Sequence, residues 1–109
     1  MNKFLMTLVL FLSLFFMACS TTVGDSCTED SDCDTGLLCD TSFPNGYCLK
    51  SSCNIYDKDS CTDNSQCTYF DETETTYCLA KCNENSDCRD DYSCKAVSNN
   101  EYRVCLPKE

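Results

Sequence analysis

The chain has 109 residues, thirteen of them cysteine and none histidine or tryptophan, with eight basic against eighteen acidic side chains for a net charge of −10. That length allows one domain or a short string of very small ones. The charge argues against nucleic-acid binding, since phosphate backbones repel an acidic body, and the lack of histidine removes the commonest general base and metal ligand.

Residues 1–18 have the pattern of an export signal. Lys3 supplies a positive start, and Phe4 to Met17 is apolar apart from Thr7 and Ser13. That run is shorter than the roughly 20 residues a membrane-spanning helix needs. Phe16-Met17-Ala18-Cys19 follows. It resembles the lipobox of bacterial lipoproteins, with Phe16 where that family has Leu and Met17 where it has a small residue. The resemblance implies cleavage before Cys19, acylation of its sulfur and a membrane as partner through this N-terminal lipid anchor. Ser20 after the cysteine is similar to an outer-membrane sorting signal. A plain secretory cut after Ser20 is the alternative, and either route leaves twelve cysteines, an even number able to pair completely. Loss of Lys3 with the signal leaves seven basic against eighteen acidic residues, or −11.

Residues 19–26 are read as the lipidated cysteine and a flexible tether of small polar residues. Three cysteine-rich modules are expected after it: 27–50, a divergent 53–81, and 82–108. Their endings match in Tyr47-Cys48-Leu49, Tyr77-Cys78-Leu79 and Val104-Cys105-Leu106. Their openings match in Cys27-Thr-Glu-Asp-Ser-Asp-Cys33, Cys61-Thr-Asp-Asn-Ser-Gln-Cys67 and Cys82-Asn-Glu-Asn-Ser-Asp-Cys88. An internal repeat follows. Modules one and three carry Cys27, Cys33, Cys39, Cys48 and Cys82, Cys88, Cys94, Cys105 in parallel. The middle one has Cys53 ahead of its opening and no cysteine six residues after Cys67, so Cys53, Cys61, Cys67 and Cys78 are expected to connect differently.

Beyond residue 19 only eleven large aliphatics and phenylalanines occur. Burial of so few cannot offset the ordering entropy, so disulfides must. Within a module, Ser26 to Glu29 reads as a capping box starting a helical turn. Leu37 to Cys39 and Gly46 to Leu49 read as a hairpin around the turn chemistry of Pro44-Asn45-Gly46. Gln66 to Phe70 with Thr76 to Leu79, and Tyr92 to Val97 with Tyr102 to Leu106, are the corresponding pairs. The fold class expected is therefore small and disulfide-rich: three short cysteine-stapled modules, each a helical turn plus a two-stranded β-hairpin, with little regular structure. Four cysteines allow three pairings; first-with-third and second-with-fourth is favoured in the outer modules, because it ties the helical turn to both strands. The Cys-x5-Cys-x5-Cys spacing with Ser-Asp before the second cysteine resembles Dickkopf-type and whey-acidic-protein-type secreted units. Whey-acidic domains have a Cys-Cys pair where this chain has Cys39-Asp40, so their inhibitory activity does not transfer.

Asp30, Asp32 and Asp34 alternate as in a calcium loop, but Gly36 falls one place late, Thr41 replaces the closing glutamate, and the sister module puts Asn85, Asp87 and Arg89 at those positions. Solvated capping carboxylates are the preferred reading. Cys78-x3-Cys82 is the one pair near zinc spacing and straddles a module boundary. No cofactor, metal or catalytic residue is expected. The tyrosines beside cysteines read first as disulfide cover, and Phe43, Pro44, Asn45 and Gly46 as the candidate contact loop. The expectation for function is an exported, lipid-anchored cell-envelope protein, of the outer membrane or cell surface, acting as a binding or structural module. The alternative is a freely secreted disulfide-rich effector or protease inhibitor.

Overall fold

The computed structural model describes residues 21–109. The signal segment and Cys19 lie outside them. Six strands form three antiparallel hairpins: β1 (Leu38–Asp40) with β2 (Tyr47–Ser51), β3 (Ser65–Phe70) with β4 (Thr75–Cys82), and β5 (Tyr92–Lys95) with β6 (Arg103–Pro107). Each hairpin follows a single 3-10 turn: η1 (Asp30–Asp32), η2 (Lys58–Ser60) and η3 (Asn85–Asp87). Among the described residues the helical content is no more than these lone turns. Propagation stops because the next residue in each case, Cys33, Cys61 or Cys88, is already extended and bonded to a strand.

The turns are built from carboxylates, though not from the Ser26–Glu29 capping box. Glu29 is the N-cap of η1, and Asp32 folds back to accept from the backbone N–H groups of Thr28 at 2.9 Å and Glu29 at 3.1 Å. Asp87 repeats this on Asn83 and Glu84 at 2.8 and 3.1 Å. These N–H donors hold the Asp32 and Asp87 carboxyls below their ordinary value. Asp30 accepts from Cys39 N–H at 2.8 Å, and Asn85 accepts from Cys94 N–H at 2.9 Å. Asparagine serves as well as aspartate there because the position needs only an acceptor.

Six disulfides close the chain: Cys27–Cys39, Cys33–Cys48, Cys53–Cys67, Cys61–Cys78, Cys82–Cys94 and Cys88–Cys105. In every hairpin two cysteines face each other across the strands, Cys39 with Cys48, Cys67 with Cys78 and Cys94 with Cys105, yet each bonds back to the preceding loop. Both strands are thus pinned to the segment that carries the 3-10 turn. The middle hairpin was expected to connect differently, and it does not. Cys67 stands where Cys39 and Cys94 stand, so Cys61-x5-Cys67 matches the second and third cysteines of its neighbours, not the first and second. The outer units contain Cys-x5-Cys twice in succession, which makes a single local match ambiguous by one cysteine. The real departure of the middle unit is a first spacing lengthened to seven residues, Cys53 to Cys61.

The hairpins are not strung out separately. β4 pairs with β2 through Lys50↔Cys78 and Ser51↔Tyr77, and with β6 through Lys81↔Val104 and Cys82↔Arg103. One cluster holds Val23, Tyr47, Leu49, Leu79, Tyr92 and Val104, drawn from all three hairpins and the entering strand of chain. Each such side chain contributes about 1.5–3 kcal/mol when fully buried. The middle unit's own cluster is nearly all sulfur, Cys53, Cys67 and Cys78. The tether expected over 19–26 ends before Val23. That side chain is 3% exposed, Gly24 N–H donates to the Cys48 carbonyl at 2.8 Å, and Cys48 N–H donates to the Asp25 carbonyl at 2.9 Å. Val23 is the apolar residue of that stretch, and Gly24, at φ +101, lets the backbone pass Ala80 where a Cβ would approach to 2.8 Å.

Two tyrosines seal the seam between the first and third hairpins. Tyr47 and Tyr92 are each 1% exposed, with ring centroids 5.4 Å apart. Tyr47 Oη accepts from Ala80 N–H at 2.8 Å, and Tyr92 Oη donates to the Pro44 carbonyl at 2.7 Å. Burial pushes the Tyr47 phenol up to about 12 from 10.0, against the Ala80 N–H, which favours the phenolate; burial also raises Tyr92. A phenol raised in the fold ionises first in the unfolded chain. Its stabilisation is complete below pH 10 and falls away as pH climbs toward about 12. Absorbance at 295 nm after rapid pH jumps should therefore show the native phenolate signal in two waves, with Tyr47 and Tyr92 late. A single wave in the native protein near the position seen after reduction and denaturation would contradict the packing described.

Candidate functional site

The contact-loop candidate, Phe43 to Gly46, is a turn closed by Gly46 N–H to the Phe43 carbonyl at 3.0 Å, with Asn45 at φ +60. Most of its polar groups are spent inside the molecule. Arg89 Nη2 donates to the Gly46 carbonyl at 2.6 Å, Asn45 Nδ2 donates to Asp91, and Cys27 N–H donates to the Asn45 carbonyl at 3.2 Å. Arg89 also lies over the Tyr92 ring, 4.5 Å from its centroid. The loop docks the first hairpin onto the third. Pro44 and Asn45 remain exposed on its outer side, Phe43 is half-buried against Tyr47, and Gly46 is buried.

The alternating acids act as caps. Asp30 and Asp32 hold backbone N–H groups as above, and Asp34 accepts from Thr35 N–H at 3.0 Å. Three sulfurs in each unit do lie within 4.8 Å of one another, for example those of Cys27, Cys33 and Cys39. Each belongs to a bridge, and a bridged sulfur is not the thiolate that binds metal.

The surface that stands out lies between the middle unit and the turn of the third hairpin. Of the large hydrophobic side chains left exposed, Ile55, Tyr56 and Tyr102 converge on one groove of about 410 Å³. Tyr56 is 91% exposed at the crest of the lengthened Cys53–Cys61 loop. The loop is held from beneath: Tyr56 N–H donates to Asn54 Oδ1 at 2.9 Å, Ser60 Oγ donates to the carbonyl of Asn54 at 3.0 Å, and Asp57 caps η2 by accepting from Asp59 N–H at 2.9 Å. Tyr102 forms the other wall, with the Lys81 ammonium 4.1 Å from its ring centroid. Lys81 Nζ also donates to the Asp63 carbonyl at 3.1 Å, and Lys58 pairs with Glu101 at 3.7 Å. This ion pair is exposed and is worth little as a stabiliser. The groove floor includes Ser65 to Cys67 of β3, which has β4 on one side and no strand on the other among the described residues.

Sequence reasoning passed over this groove. Its signal was the Ile55-Tyr56 pair, inserted in the one loop that lengthens the repeat. The tyrosines divide accordingly: Tyr47 and Tyr92 are core, while Tyr56 and Tyr102 are surface. Tyr102 could not be paired with Tyr56 without the fold, because they come from different hairpins. Comparison with family models, curated proteins and solved structures gives no match for this chain. Six closed bridges are the mark of a chain that folds in an oxidising, exported setting.

Proposed function

We propose that this protein is an exported, lipid-anchored cysteine-rich module that works at the cell envelope by binding rather than by catalysis. The observation that carries the reading as an exported module is the complete pairing of the twelve cysteines from Cys27 to Cys105. Anchoring is supported by the lipobox-like Phe16-Met17-Ala18-Cys19, since a cut after Ser20 would leave the same twelve. In this reading residues 1–18 are removed, Cys19 takes the acyl chains, and Thr22 marks the start of a stiff body held close to the membrane. Three repeats of a 3-10 turn plus hairpin form that body. The reading as a binder is supported by the absence of histidine and by three exposed apolar side chains gathered in one groove.

Inhibition of the lipoprotein signal peptidase should leave a larger precursor, and the mature protein should enter the detergent phase on phase separation. Cys19→Ala should move the protein out of that phase with its six bridges intact. Recovery of the unaltered protein from cell-free medium, with an intact mass lacking acyl chains, would instead establish the freely secreted form.

A further inference from the structure

We infer that the groove between Tyr56 and Tyr102 receives an extended, lysine- or arginine-bearing segment of a partner protein. This deepens the reading of the chain as an exported binder and rests on it. Three observations converge. The first is charge. Asp57, Asp59, Asp63 and Glu101 line the groove against Lys58 and Lys81, and both lysines are engaged, Lys58 with Glu101 and Lys81 with Tyr102 and the Asp63 carbonyl. The surplus is acidic, as it is over the whole chain, so a cationic segment is attracted and an anionic lipid or nucleic acid repelled.

The second is apolar. Ile55 is 37% exposed and Tyr56 91%, on a loop fixed by the Cys53–Cys67 and Cys61–Cys78 bridges. Tyr102 is 46% exposed in the β5–β6 connection, between the bridged Cys94 and Cys105. Rigid tyrosines lose little entropy on contact, and their faces also accept cations. The third is the outer edge of β3, which no strand covers among the described residues. Ser65 N–H is taken by the Thr62 carbonyl, and the Cys67 carbonyl by its neighbour Gln66 Nε2 at 3.1 Å. An extended backbone laid along Ser65 to Cys67 therefore pairs with the remaining edge groups and displaces the Gln66 amide.

The test uses the mature exported protein, nitrogen-labelled and oxidised, titrated with a short peptide alternating lysine with valine and with its glutamate-for-lysine counterpart. Amide shifts should move first at Ile55, Tyr56, Gln66 and Tyr102. Affinity should fall by about tenfold or more between low salt and about 0.5 M salt, and the glutamate peptide should leave the spectrum unchanged. Tyr56→Ala should weaken binding by about tenfold without disturbing the fold, since its side chain is almost wholly exposed. Shifts spread evenly over distant acids such as Asp25 and Asp90, equal binding of the glutamate peptide, or an unaltered affinity in Tyr56→Ala would each overturn the assignment. Anchoring is read separately by detergent partition, so failure at the groove and failure of the exported-binder reading are distinguishable.

Discussion

Replacing both members of one bridge, Cys33→Ala with Cys48→Ala, is expected to lower stability by about 2–5 kcal/mol while the other five bridges remain. The Cys33–Cys48 bridge spans 15 residues, a loop whose closure contributes about 3 kcal/mol in the chain-entropy model. Packing adds to this. Cys48 is fully buried, on the face of β2 opposite Tyr47 and Leu49, so the smaller alanine leaves a void there as well. Cys33 is the extended residue that ends η1, and without its bond nothing covalent holds that turn against β2. Guanidinium unfolding followed by circular dichroism reads the effect. An unfolding free energy within about 1 kcal/mol of the parent, at constant slope, would mean that this unit is held by something other than its sulfur.

Gly46→Ala is expected to be the more damaging change to a single residue. Gly46 has φ +71, and a Cβ there would lie 1.9 Å from the Cys27 carbonyl oxygen and 2.9 Å from Cys27 Sγ. The obstacle is backbone and cannot swing aside. Relief requires the Cys27 peptide or the 43–46 turn to move, which disturbs the Cys27–Cys39 bridge and the Arg89 contact to the Gly46 carbonyl together. A loss above about 3 kcal/mol follows, with mispaired species during oxidative folding. Gly36→Ala is the matched control. Its φ is +89 and nothing lies within 4 Å, so only local backbone strain of about 1–2 kcal/mol remains. Disulfide mapping of the two variants by mass spectrometry separates the cases. Similar losses in both would show that the close approach to Cys27 is not what makes position 46 glycine.

Local chemistry was legible in the sequence because it is written in near neighbours. Cysteine parity implied complete pairing, Pro44-Asn45-Gly46 marked a turn, and the sheet pairs β3 with β4 over Ser65–Phe70 and Thr75–Ala80, where the repeat had pointed to a hairpin of Gln66 to Phe70 with Thr76 to Leu79. Relations between units were not legible. Nothing in Lys50 or Ser51 announces that they pair with Cys78 and Tyr77, and Pro44 does not announce that its carbonyl serves Tyr92. A few hydrogen bonds and one shared cluster decide those contacts, and they involve residues far apart in the chain. Val23 was read as tether because its neighbours are small and polar, yet one valine suffices where Tyr47 and Val104 already offer a wall. The misaligned middle cysteines have a different origin, a spacing that repeats within the repeat.

Sulfur, with only a small apolar seam beside it, is what keeps these residues folded. The direct measurement is the dispersion of amide resonances in the mature protein as dithiothreitol is raised, with free thiols counted by alkylation and mass in the same samples. Dispersion should collapse as the twelve bridged cysteines from Cys27 to Cys105 become labelled, and the oxidised protein should show none of them labelled. A dispersed spectrum that persists with all twelve thiols free would show that the core around Tyr47, Leu49 and Tyr92 suffices without the bridges.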